Sequence, residues 1–239
     1  DAIGDFVVGL GEIPSVADPV AHASGIRCIA AAMRDLHEQR IDVAIVCGLD
    51  SLLETEWLAR GIVDRIVKLE DTHTGVVPGE GAGVLVLERH ADAATRGVEP
   101  VALVGNLALA DEPIRYDGAE PLEATALSEA LHGILDHLEA GPGAIGDVLV
   151  DLNGERGRFQ EWALAEGRCL HRLADGWRLH APALSLGDLG AASGVVTVGI
   201  AALMLQRRRA RGDAALVCSM SANGERACAL VGAPRTKVQ

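Results

Sequence analysis

From residue 101 onward the apolar residues alternate between two periods, and this alternation restricts the fold more than any other feature. Val101–Ala110, Gly146–Leu152, Trp177–Ala181, Ala214–Met220 and Ala227–Gly232 are short apolar runs, the pattern of strands. Between them lie helical stretches. Leu122–Glu139 places Leu127, Leu131, Ile134 and Leu138 on one face, Gln160–His171 follows, and Ala191–Arg208 is rich in small residues suited to close packing. The order is β-α-β-α-β-α-β-β. Strands that alternate with helices predict a mainly parallel sheet covered by helices. Ser221-Ala222-Asn223-Gly224 joins the last two strands; Asn-Gly between apolar strands predicts a hairpin, added as an antiparallel edge.

Residues 20–90 read as the tail of the same pattern. Ala21–Gln39 is a helix, with Ile26, Ile29, Ala30, Met33 and Leu36 at helical spacing. Asp42–Gly48 is a nearly continuous apolar run and predicts a buried strand, with Cys47 and the helical Cys28 as core residues. Leu52–Arg65 is helical or irregular, and Gly83–Glu88 is a strand. Ahead of these, Phe6–Leu10 reads as a strand and Gly11–Pro19 as a loop. The element order predicts a duplicated unit whose first copy is cut short, with halves at 1–97 and 98–239. Missing strands would leave an apolar face uncovered, so a longer natural protein, or another segment or chain, is expected to complete it. The chain opens at Asp1 and not Met, which fits processing or a fragment.

Composition narrows the function classes. Aromatics are only 3%, so the core is aliphatic. The net charge of −13 opposes binding to nucleic acid or to an anionic membrane surface. No apolar run reaches the roughly 20 residues of a spanning helix, and no signal peptide is read. Five cysteines without a CxxC predict a reducing, cytoplasmic setting. His132, His137, His171 and His180 show no HxxxH or HxH spacing, so neither a metal nor a cofactor is expected. His73 reads as a surface residue. Arg207–Arg211 is a basic cluster that suits a helix C-terminus or a docking patch for an acidic carrier.

Three segments carry a resemblance. Gly79-Glu80-Gly81-Ala82-Gly83 with Val84–Glu88 resembles the GEGAG-VLVLE segment of β-ketoacyl synthases. Gly187-Asp188-Leu189-Gly190-Ala191-Ala192-Ser193-Gly194 is similar to their GHxxGAAG segment, and Val217–Val231 sits where they carry a Gly- and Phe-rich turn. The resemblance implies the thiolase fold: two βαβαβαββ copies in a five-layer αβαβα block, the first copy incomplete in this chain. It also implies a homodimer, or a heterodimer with another thiolase-like chain, and an acyl carrier protein as a possible partner.

The same resemblance implies one Cys and two His as the catalytic set, and all three positions are changed here. The nucleophile motif A-C-x-S-G reads Ala21-His22-Ala23-Ser24-Gly25, with His22 for Cys. Asn153 replaces the first His; an amide donates a hydrogen bond but carries no proton back and forth at neutral pH. Asp188 replaces the second, and an ionised carboxylate repels an enolate. Ser24 is an alternative nucleophile without a visible base. Ser24, Met220, Ser221 and Asn223 are candidate pocket-lining residues. The expectation is a ketosynthase-like protein without a working catalytic site, a scaffold or partner subunit. The alternatives are an acyltransferase that uses His22 with Asn153, an accessory protein of a bacterial assembly or secretion system, and another α/β enzyme. The last is disfavoured as a plain Rossmann fold because the chain lacks GxGxxG after an early strand and ends in a hairpin.

Overall fold

A computed structural model describes residues 22–114, 120–138, 144–173 and 175–234. Phe6–Leu10 and Gly11–Pro19 lie outside the described residues, as do Ala21 and Glu139 at the ends of two expected helices. The elements in chain order are α1 (Ser24–His37), β1 (Val43–Ser51), α2 (Thr55–Val63), β2 (Glu80–Glu88), α3 (His90–Thr95), β3 (Leu103–Asp111) and α4 (Thr125–Leu135). They continue with β4 (Ile145–Val150), α5 (Arg156–Cys169), β5 (Arg178–His180), α6 (Ala183–Leu186), α7 (Ser193–Gln206), β6 (Ala214–Met220) and β7 (Glu225–Gly232). The short helices α3 and α6 have too few residues for a period to show, and the sequence pattern does not reveal them.

The strands form two sheets. β1 and β2 pair antiparallel, and five strands order as β3-β7-β6-β4-β5. β4 runs parallel to β5 and to β6, whereas β7 is antiparallel to both β6 and β3. This corrects the expected mainly parallel sheet with the hairpin at its edge. One side of β6 is taken by β4, so β7 occupies the other, and the free side of β7 then accepts β3. The hairpin is interior and β3 is the edge. Local sequence cannot reveal that step, because it joins residues more than a hundred apart.

Two cores lie on the two faces of the large sheet. Leu127, Leu131 and Ile134 of α4 and Trp162 and Ala165 of α5 cover Val148, Val150, Leu216, Cys218 and Met220 on one face. On the other, Ile26 and Ile29 of α1 and Val195, Val198 and Ala201 of α7 cover Ala215, Val217, Ala229 and Val231. Val46, Leu85 and Leu87 of the small sheet close over the far side of the same helices. The layers run α4/α5, large sheet, α1/α7, small sheet, which is four of the five layers expected. Residues on both sides of the 97/98 division thus share one core.

α1 and α7 are built alike. Each spans 14 residues and opens on Ala-Ser-Gly, and each is followed by a strand that pairs antiparallel with another. They touch at their first turns. A Cβ on Gly25 would lie 2.7 Å from the Val195 nitrogen, and one on Gly194 would lie 3.2 Å from the Gly25 Cα. α7 is apolar all round because it packs against α1 and both sheets. α1 is amphipathic and stops at Gln39, whose φ of +57° turns the chain out of the helix.

The small sheet is the second departure from expectation. The outer face of β1 leaves Val43, Ile45, Cys47 and Leu49 exposed, and Val84 and Val86 continue that face on β2, with Ile45 opposite Val86 and Cys47 opposite Val84. Ile45 is 63% and Leu49 is 73% exposed. The Asp42–Gly48 run is therefore buried on one face only, and Cys47 is not a core residue. A strand covered on both faces and one with an uncovered apolar face read identically in sequence. Cys28 is half-buried against the α1/α7 core.

Two measurements test this packing. Gly25→Ala is expected to destabilise by about 1–3 kcal/mol through overpacking, although alanine favours a helix. Gly167→Ala, in α5 with no atom within 4 Å of the added Cβ, is expected to stabilise by about 0.5–1 kcal/mol; urea unfolding compares the pair. The open face should bind an apolar dye such as anilinonaphthalene sulfonate, and Ile45→Lys with Val84→Lys should abolish most of that fluorescence without loss of circular dichroism.

Candidate functional site

The loops that enter α1, leave β4 and precede α7 meet at one point. His22 stands just ahead of α1, Asn153 three residues beyond the end of β4, and Asp188 in the turn between α6 and the short 3-10 turn Gly190–Ala192. His22 Nε2 lies 2.7 Å from Asp188 Oδ1, and Asn153 Nδ2 donates to Asp188 Oδ2 at 2.7 Å. The structure thus brings together the three residues that the sequence places at the changed catalytic positions.

Each is held by backbone geometry. Asp188 forms a bridge with Pro78: its amide donates to the Val77 carbonyl at 2.7 Å, and its carbonyl accepts from the Gly79 amide at 2.9 Å. The strand-entry loop before β2 therefore sets the position of the carboxylate. Gly190 (φ +52°) lies against Asp50, where a Cβ would fall 2.1 Å from Asp50 Oδ2. That oxygen accepts from the Ala191 amide at 2.7 Å and so caps the start of the 3-10 turn. At α1, the Ala23 amide donates to Ser221 Oγ at 2.9 Å, so the hairpin turn satisfies a donor at the helix start.

The hydrogen-bonding capacity of Asn153 and Asp188 is spent within the protein. Asn153 Nδ2 also donates to Glu155 Oε2 at 3.0 Å, and Asn153 Oδ1 accepts from the Glu155 amide at 3.1 Å. Asp188 Oδ1 accepts a further bond from the Gly190 amide at 2.9 Å. Buried Arg158 reaches Glu155 at 3.3 Å, the Met220 carbonyl at 2.6 Å and Asp151 Oδ2 at 3.1 Å. Asp151 in turn accepts from Ser219 Oγ at 2.6 Å and from the Met220 amide at 2.9 Å. Burial alone would push the Asp188 carboxyl up. The hydrogen bond and charge of His22, the Arg158 charge and the Asn153 amide outweigh it and hold the group well below the usual carboxylate range. The Nδ1 atom of His22 is buried and has no hydrogen-bond partner.

Ser24 and Met220 are buried at the start of α1 and the end of β6. Ser221 is buried and Asn223 is exposed in the hairpin turn, where Asn223 Oδ1 accepts from the Glu225 amide at 3.1 Å. Two cavities stand out. A groove of about 470 Å³ runs past Gly154 and α5, and a smaller one of about 160 Å³ lies beside Arg27 and Glu225. None of Ser24, Met220, Ser221 and Asn223 lines either. Sequence reasoning missed Asp151, Glu155 and Arg158. Their signal was available: charged residues set directly after a fully buried strand must find partners. It also missed the fully buried pair of Arg226 with Glu161, joined at 2.8 Å between Nη2 and Oε2.

Asp188→Asn tests the network, since it places an amide against two donors. It is expected to cost about 3–5 kcal/mol near neutral pH, the scale for breaking a buried charged pair. Asp188 is depressed in the folded state, so its stabilisation is full above its ordinary value of 3.8 and is lost as the pH falls below it. Urea unfolding of both proteins should show the difference at pH 6 and a shrunken one at pH 3; an equal difference at both would refute the assignment.

Comparisons with known proteins bear on the fold. The β-ketoacyl synthase N-terminal domain family matches residues 14–93. A phenolphthiocerol/phthiocerol polyketide synthase of Mycobacterium tuberculosis is 26% identical over 205 residues, which is 81% of this chain and 13% of that protein. Among solved structures, a type II polyketide synthase acyl-carrier protein in complex with its ketosynthase bound to the hexaketide superposes with a TM-score of 0.85 at 15% identity, over 97% of this chain and 66% of that one. The ketosynthase from module 6 of the bacillaene synthase of Bacillus subtilis 168 gives 0.78 at 18% identity, over 90% and 47%. The ishigamide ketosynthase/chain length factor gives 0.78 at 17%, over 96% and 64%. The chain spans less than two thirds of each of these proteins. Its four layers are those of the thiolase fold, and over residues 14–93 the chain is similar to the β-ketoacyl synthase N-terminal domain family.

Proposed function

We propose that this chain is a ketosynthase-like subunit that does not itself carry out condensation and acts as a scaffold or partner to another thiolase-like chain. The observation that carries the reading is the hydrogen-bonded set His22–Asp188–Asn153. Condensation needs a nucleophile that holds an acyl group as a stable thioester, and donors left free to meet an enolate or oxyanion. Asn153 spends both amide hydrogens on carboxylates, and Asp188 brings negative charge to the place where negative charge would develop.

Three of the cysteines are poorly suited to supply the missing nucleophile. Burial pushes the Cys169 and Cys218 thiols up, the opposite of what an attacking thiolate needs. Cys47 stands on the outer face of the small sheet, across the layer from the site. The solved relatives support the partner role by analogy: one is a ketosynthase with a chain length factor, and another is a ketosynthase with its acyl-carrier protein. A heterodimer with a second thiolase-like chain, and contact with an acyl carrier protein, follow as proposals on the same footing.

One observation favours a second reading. His22 holds Asp188 through Nε2 and leaves Nδ1 without a partner, the arrangement of a carboxylate-oriented imidazole. Under that reading His22 accepts an acyl group and the chain is an acyltransferase with non-standard residues.

Intact-mass spectrometry after incubation with acyl and malonyl thioesters, with peptide mapping, separates the two. The expected result is no adduct at any residue. His22→Cys alone is also expected to give no condensation, because Asn153 and Asp188 remain unsuited to the later steps. A stoichiometric acyl adduct on His22, Ser24 or a cysteine of the unaltered protein would overturn the partner reading, as would robust condensation by the single variant.

A further inference from the structure

The groove beside Gly154 collects residue types that are scarce elsewhere in this chain. Its walls are the Lys68–Gly75 loop, the first two turns of α5 and Leu184 of α6. Lys68 and Lys237 are the chain's two lysines, and Phe159 is one of its two phenylalanines. Lys68, His73 and Arg156 all line the groove, and no carboxylate does. None of the three enters an ion pair among the described residues, whereas Arg27, Arg89, Arg96, Arg158, Arg178 and Arg226 do. Three uncompensated cationic or ionisable groups around one concavity run against a net charge of −13.

The rest of the wall combines the polar side chains of Thr74 and Gln160 with the apolar ones of Phe159, Ala163 and Leu184. Phe159 is 38% and Leu184 is 60% exposed, and Ala163 lines the same groove. The floor is narrow and fixed: the Gly75 amide donates to the Gly154 carbonyl at 3.0 Å. Gly154 has a φ of +104°, and a Cβ there would fall 2.1 Å from the Gly75 oxygen. A side chain at Gly154 would therefore break the floor. The volume of about 470 Å³ lies within the usual range for small-molecule sites.

We propose that this groove binds a small amphipathic anion, with a phosphate or carboxylate head against Lys68, Arg156 and His73 and an aliphatic body against Phe159, Ala163 and Leu184. The charge of the whole molecule repels anions at long range, so the attraction must come from these local groups and must be salt-sensitive. The apolar side chains of the wall predict that an anion with an aliphatic body binds more tightly than a bare one. The inference is independent of whether His22 can be acylated, because none of the groove residues belongs to the His22–Asp188–Asn153 set.

Isothermal titration of the 239-residue protein with hexyl phosphate, hexanoate, hexanol and inorganic phosphate tests it. One of the two anionic amphiphiles is expected to bind, and which one binds tighter assigns the head group. Lys68→Gln with Arg156→Gln should weaken that binding at least about tenfold, as expected for loss of charge-assisted hydrogen bonds. Phe159→Ser with Leu184→Ser should weaken it as well, and added salt should do the same. All four positions are exposed, and circular dichroism checks that the variants fold. Binding unchanged in both double variants would overturn the proposal. So would hexanol or inorganic phosphate binding as tightly as the amphiphile, or no heat from either amphiphile at millimolar concentration.

Discussion

The contact between Gly25 and Gly194 is the constraint on which the rest of the molecule depends. It lets α1 and α7 meet backbone to backbone at their first turns. Because both helices begin there, the described residues just ahead of each arrive at the same point. His22 precedes α1, and Gly187–Gly190 precede α7. Residues 166 positions apart therefore come within 2.7 Å. A methyl group at either glycine would push the helix starts apart, and the His22–Asp188 bond has no slack to follow. The site is thus a product of helix packing more than of any local motif.

What forms at that point is an electrostatically closed set. Asp188 is buried but remains easily ionised, because His22, Arg158 and the Asn153 amide stabilise its charge together. Arg158 extends the set to Glu155 and Asp151, and Asp151 ties it to the end of β6 through Ser219 and Met220. Such a network holds loops from four parts of the chain in one arrangement. The same bonds that fix the loops occupy both amide hydrogens of Asn153.

Much of this was legible in the sequence, for reasons that differ by element. The β6–β7 hairpin was readable because Asn223-Gly224 between two apolar runs is a local signal, and α7 because its small residues report close packing. His22, Asn153 and Asp188 were identified by their place in short motifs, and their convergence followed from the fold those motifs imply. The place of β3 at the sheet edge was hidden, since β3 and β7 pair across more than a hundred residues. The Asp151–Glu155–Arg158 network was overlooked because a charged residue after a strand reads as loop until its burial is known. Cys47 was misassigned because period alone does not say which faces of a strand are covered.

The two strand pairs that follow α1 and α7 allow a comparison within one molecule. On the outer face of β6 and β7, α4 and α5 bury Cys218, Met220 and Cys228 completely. On the outer face of β1 and β2 the corresponding positions are aliphatic too, yet Ile45, Leu49, Val84 and Val86 stay open. Each such side chain, if buried, contributes about 1.5–3 kcal/mol. The middle of the open face has the residue types of an interior, with Ile45 opposite Val86, Cys47 opposite Val84 and Leu49 opposite Ala82, and glutamates bound it at both ends, Glu88 opposite Val43 and Glu80 opposite Ser51. That aliphatic composition separates this face from the solvated side of an ordinary antiparallel strand pair, on which polar residues alternate with apolar ones.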